Sequence, residues 1–116
     1  MNMNTGAIRN EMVTAAKAAS DAMFKRFGST DQIGACGFAW VTVKPANKGN
    51  TKLGKTERTV LKELGFRQDW TGKAYEIWNP SEYHGQNIDI KEAGAVAAAD
   101  VLLKHGFNAY AGSRLD

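Results

Sequence analysis

The stretch LKELGFRQDWTGKAYEIWN, residues 61–79, ends a helix, turns, and returns as a strand. Leu61 and Leu64 close an apolar helical stripe, and Gly65 stops it. Phe66 to Trp70 and Lys73 to Asn79 then flank Thr71-Gly72, a two-residue turn in which Gly72 accepts positive φ. In the simple register Phe66 faces Ile77, Gln68 faces Tyr75 and Arg67 faces Glu76, leaving one surface apolar and the other charged. The same helix ending recurs at Leu102-Leu103-Lys104-His105-Gly106-Phe107, where leucine, lysine, glycine and phenylalanine again lead into a strand.

Upstream, Cys36 to Val43 is a β-branched and aromatic run suited to a strand, broken by Pro45 and Asn47. A helix follows from about Lys52 or Thr56 to Leu64, with Leu53, Val60, Leu61 and Leu64 on one side. Beyond the hairpin lies a polar loop, Asn79 to Asn87. The next helix is expected to start at Asp89, with Glu92 completing a capping box. Its small face, Ile90, Ala93, Gly94, Ala97 and Val101, is expected to lie close on a sheet. Asn108 to Leu115 reads as the last strand. At the front, Ile8, Met12, Ala15, Ala16, Ala19, Met23, Phe24 and Phe27 recur at helical spacing, with Gly28 as the stop. The order is helix, β-α-β, β-α-β, with a hairpin joining the halves. It predicts an α+β fold with a ferredoxin-like split β-α-β sheet, two helices on one face, and an extra amino-terminal helix. One domain is expected over 1–116: helix 1–28, link 29–35, and a β-α-β-β-α-β core over 36–116.

A length of 116 residues, with 43% hydrophobic and 23% charged, matches one globular core and not a disordered chain. No apolar run is long enough to span a bilayer, and Met1 to Arg9 lacks the apolar block of a signal peptide, so no membrane partner is expected. The lone Cys36 has no disulfide partner within the chain, which points to a reducing, cytoplasmic setting. Inside an apolar strand it reads as a small buried hydrophobe. Cys36, His84 and His105 are too scattered for a metal site, and His105 beside Gly106 reads as a cation at a helix terminus. No carboxylate pair or Ser-His-Asp arrangement stands out. The expectation is therefore a non-enzymatic protein without cofactor or metal.

Charge is uneven. Residues 1–58 carry nine Lys or Arg against four Asp or Glu, a net of +5, and residues 59–116 carry six against eight, a net of −2. Lys44, Lys48, Lys52, Lys55 and Arg58, opposed only by Glu57, form a basic segment that reads either as a solvated loop or as a contact for an anionic partner. Within it, Gly49 to Thr56 satisfies the phosphate-loop pattern G-x-x-x-x-G-K-T. Five residues, Lys44 to Lys48, separate it from the preceding strand, and no later apolar strand ends in an acidic residue for magnesium.

Gly37-Phe38-Ala39-Trp40-Val41-Thr42-Val43 resembles the aromatic octapeptide of RNA-recognition motifs. Phe38 and Trp40 share one strand face, and on an open sheet such rings stack on unpaired bases. Cys36 stands where that pattern has a basic residue, Val43 replaces its last aromatic, and the run lies in the first strand instead of the third. The competing reading buries Phe38 and Trp40 beneath the amino-terminal helix. Trp78, Tyr83 and Arg114 complete the candidate binding residues.

The run from Gly37 through Gly49-Asn50-Thr51 to the terminal Gly106-Phe107-Asn108-Ala109-Tyr110-Ala111-Gly112-Ser113-Arg114-Leu115-Asp116 resembles small accessory proteins of bacteriophages and prophages. The resemblance implies a non-catalytic inhibitor in the bacterial cytoplasm, anti-CRISPR-like or otherwise anti-defence, whose partner is a host or defence protein or a ribonucleoprotein. The alternatives are a single-stranded nucleic-acid-binding protein using Phe38, Trp40 and the basic segment, and a nucleotide binder at residues 49–56.

Overall fold

The structure, a computed structural model, describes residues 4–29 and 34–116. Expectations that fall on residues 1–3 and 30–33, the first residues of the amino-terminal segment and the middle of the 29–35 link, lie outside the described residues. The elements follow in the order α1 (Thr5–Arg26), β1 (Gly37–Val43), α2 (Lys52–Glu63), β2 (Arg67–Gln68), β3 (Tyr75–Trp78), α3 (Ile88–Lys104) and β4 (Ala109–Leu115). The strands make one open antiparallel sheet in the order β2-β3-β1-β4. The architecture is α+β.

The period of two along β1 sorts its side chains. Ala39, Val41 and Val43 point to one face, where Tyr75, Ile77, Ala109 and Ala111 from the flanking strands join them. Val60, Leu61 and Leu64 from α2, and Ala95, Ala98 and Leu102 from α3, cover that face. Ile8, Met12 and Ala16 of α1 belong to the same core.

The amino-terminal helix thus lies on the helical side, packed chiefly on α3, and does not cover the aromatic strand face. Its stripe explains the choice. Ile8 and Met12 are buried at one end, each worth about 1.5–3 kcal/mol of transfer free energy. Toward the other end the stripe narrows to Ala16 and Ser20, small enough to press against Gly94. A Cβ built on Gly94 would lie 2.6 Å from Ser20 Oγ. The small face of α3 therefore approaches α1 and the loop at Ser81, and not the sheet as expected. The side of α3 turned to the sheet is marked by Lys91, whose ammonium donates to Gly37 O at 3.0 Å.

Four local expectations change. The hairpin keeps the expected pairs Arg67↔Glu76 and Gln68↔Tyr75, but its ladder ends at Asp69, and the turn centres on Trp70-Thr71. Asp69 Oδ1 accepts from the amides of Thr71 and Gly72 at 3.0 and 3.1 Å, so a side-chain turn outcompetes the tighter hairpin. The cap of α3 is Asn87, whose Oδ1 accepts from Asp89 and Ile90, placing Asp89 in the first turn. Leu53 is exposed because the start of α2 buries Gly54 and Glu57 against the preceding loop. Cys36 is exposed just ahead of β1, tied by an isolated bridge to Asn87 and by its carbonyl, which accepts from the Asp116 amide at 3.1 Å.

Candidate functional site

The face of the sheet away from the helices carries the aromatic residues. Register places its side chains in rows. Phe38 lies opposite Arg114; Trp78, Trp40 and Gly112 form the next row; Glu76, Thr42 and Tyr110 the third. No described helix packs on this face.

Trp40 and Trp78 stack with centroids 4.8 Å apart at 29°, and Phe38 meets Trp78 edge-on at 6.1 Å. Such pairs contribute about 0.5–1.5 kcal/mol beyond buried area, so the rings hold one another in place before any ligand arrives. Gly112 makes this arrangement possible. A Cβ there would sit 2.7 Å from the Trp40 indole. Trp40 and Phe38 become half-buried supports, while Trp78 (43%) and Tyr110 (45%) keep much of their surface in solvent. Trp70, 94% exposed at the hairpin turn, borders the shallow groove over Trp40, Trp78 and Tyr110.

Cations stand at both ends of this file. The Arg114 guanidinium and the Lys91 ammonium each lie 5.5 Å from the Phe38 ring centre, and the Lys44 ammonium lies 5.7 Å from that of Tyr110. These distances are within cation–π range. From Phe38 to Lys44 the surface runs about 20 Å at roughly 3.3 Å per residue.

Of the residues singled out in the sequence, the fold brings together Phe38, Trp40, Trp78, Arg114 and, at the far end, Lys44. It places the others elsewhere. Tyr83 packs against Phe24 of α1 at 6.0 Å, and Ser113, next to Arg114, turns to the helical side and donates to Glu92. The rest of the basic segment belongs to a self-bracing turn. Buried Glu57 accepts from the amides of Ala46 and Asn47 at 2.8 and 3.0 Å, while Arg58 donates to Asn47 O and Gly54 O, both at 2.9 Å. Lys48, Lys52 and Lys55 stand exposed on this turn and on α2. In the phosphate-loop-like run, the Gly54 amide donates to Thr51 Oγ1 and the Lys55 amide to Thr51 O, so both amides already serve the helix cap. Thr56 Oγ1 donates back to Lys52 O.

Tyr110 and Trp70 belong to the surface and were missed from the sequence, as was Lys91, which is buried under α3 and reaches the Phe38 ring from the helical side while bonded to Gly37 O. The alternation Tyr110, Gly112, Arg114 held the signal for Tyr110, but the face depends on a register that only β1 supplies. No protein-family model, curated protein or solved structure matches the chain.

Proposed function

We propose that the protein is a non-catalytic binding module that captures short single-stranded nucleic acid on the open face of its sheet. The observation that carries this reading is the file of Trp78, Trp40 and Tyr110 left uncovered by every described helix, with Arg114 and Lys44 at its ends. Exposed rings stack on bases without regard to sequence, at about 1–3 kcal/mol per base, and the terminal cations suit phosphates. A sheet face of this kind holds two or three bases. The strand order β4-β1-β3-β2 and the two β-α-β halves also favour a ferredoxin-like split β-α-β core with α1 added beside α3.

A second reading uses the same surface. Trp, Tyr and Arg are the residue types that dominate protein–protein hot spots, and Trp70, Trp78, Tyr110 and Arg114 suit a host or defence protein, or the protein part of a ribonucleoprotein, in a bacterial cytoplasm. On this reading the chain is an accessory inhibitor of the kind found in phages.

Fluorescence anisotropy with short single-stranded RNA and DNA at near-physiological salt separates the two. On the first reading Trp78→Ala weakens binding by roughly 5- to 150-fold, equivalent to about 1–3 kcal/mol. Arg114→Gln lowers the salt slope by about one, and Lys48→Glu/Lys52→Glu, off the face, changes affinity less than either. No binding of any single strand at micromolar protein refutes the first reading and leaves the surface to the second.

A further inference from the structure

We infer that Glu76 makes this surface discriminate among bases, favouring those that present an exocyclic amine, such as cytosine and adenine, over uracil and thymine. The inference rests on the single-strand reading and concerns the same face. Glu76 stands on β3 opposite Thr42, one row from the stacked Trp40 and Trp78. Adjacent rows lie about 6.6 Å apart. A base lying on Trp78 therefore presents its edge within reach of the Glu76 carboxylate.

That carboxylate is otherwise unemployed. Arg67 sits directly opposite in the register, yet no ion pair among the described residues involves Glu76. The groove's other carboxylate, Asp69, is bonded to Thr71 and Gly72 in its own turn, whereas Glu76 adds a negative charge that opposes phosphate binding and is left to serve a base edge. An ionised carboxylate only accepts hydrogen bonds. Cytosine N4 and adenine N6 offer amine hydrogens, whereas the thymine edge, and the uracil edge like it, presents O4, another acceptor. At that position the first pair offer donors to the carboxylate and the second pair an acceptor that repels it, their one donor, the N3 imide hydrogen, being flanked by two carbonyls. Glu76 is half-buried beside the Trp78 ring, where reduced access of water sharpens both effects.

The test compares cytidine and uridine RNA octamers, whose bases differ at this amine and carbonyl, on wild type, Glu76→Gln and Glu76→Ala, with circular dichroism confirming the fold of each variant. Wild type should bind the cytidine octamer about tenfold more tightly, the lower part of the range for one base-edge contact. Glu76→Gln, which can donate as well as accept, should close the gap by raising uridine affinity, and Glu76→Ala should also remove the preference. Equal binding of both octamers by wild type, or a preference that survives in both variants, overturns the role of Glu76 and leaves the single-strand reading standing. Failure of wild type to bind either octamer overturns both.

Discussion

Gly54→Ala pits helix propensity against the geometry of one turn. Replacing an internal helical glycine by alanine ordinarily stabilises by up to about 1 kcal/mol. Here a Cβ at Gly54 would lie 1.8 Å from Lys48 O and 2.6 Å from its carbonyl carbon. Contact with backbone atoms is relieved only by moving the turn, because no flexible side chain can give way. Lys48 O accepts from the Thr51 amide at 3.1 Å and from Thr51 Oγ1 at 2.7 Å, and Thr51 Oγ1 in turn caps the Gly54 amide at 3.0 Å. Displacing it costs about 0.5–2 kcal/mol for the cap and about 1 kcal/mol for each further hydrogen bond broken. Set against the propensity gain, the net is about 2–3 kcal/mol destabilising. At about 4 °C per kcal/mol for a chain of this size, Tm falls by roughly 8–12 °C. Gly6→Ala is the control, since its Cβ would meet only Asn4 Oδ1 at 3.6 Å, and it should hold or raise Tm. Thermal unfolding followed by circular dichroism reads both. A Gly54→Ala protein as stable as wild type, or more so, refutes the argument.

The same reasoning separates two sites on α3. Gly94→Ala places a methyl 2.6 Å from Ser20 Oγ and 2.7 Å from Ser81 Cβ and should cost about 1–3 kcal/mol. Ala97→Leu enters an open crevice lined by Ala19 and Met23 and should shift Tm far less; a larger loss at Ala97 would misplace α1. Acid should expose the tie between the ends of α1 and α3. Glu11 is hydrogen-bonded to Lys104 and to His105, contacts that hold its carboxyl below the usual carboxylate value. A depressed folded pKa contributes stability above the unfolded value, and that stability is lost as pH falls through the folded one. The Tm difference between wild type and Glu11→Gln should therefore be largest near neutrality and shrink below about pH 4.3. A difference that stays constant down to acid pH would remove the ion-pair argument.

The sequence specified elements more firmly than faces. β1, α2, the hairpin pairs and β4 follow from local signals: a β-branched run, a leucine stripe, a glycine stop and alternation. Where a local signal had a nearby competitor, the competitor decided the outcome. Asn87 captured the cap that Asp89 could have supplied, because its carboxamide oxygen accepts from both Asp89 and Ile90 while its backbone bridges to Cys36. Asp69 captured the turn by bonding the amides of Thr71 and Gly72. The Thr71 hydroxyl and those amides hold its carboxyl below the ordinary value, a sign that the turn favours the ionised side chain.

The position of α1 was the step that local patterning left open, and the reading of the site turned on it. An amphipathic helix seeks any apolar surface, and this chain offered two: the aliphatic face of Ala39, Val41 and Val43, and the aromatic face of Phe38, Trp40 and Trp78. Shape decides between them. Ser20 fits beside Gly94 at a separation that bulky rings would forbid, and Ile8, Met12 and Ala16 reach the aliphatic core. The aromatic face stays open and is ordered from within, by Trp40 on Gly112 and by Trp78 on Trp40. The glycine at residue 112 therefore does more to define the candidate site than the lysines of residues 44–58. Those lysines drew attention through their charge and a phosphate-loop pattern, and, apart from Lys44 beside Tyr110, they stand on a turn braced by Glu57 and Arg58 and on α2.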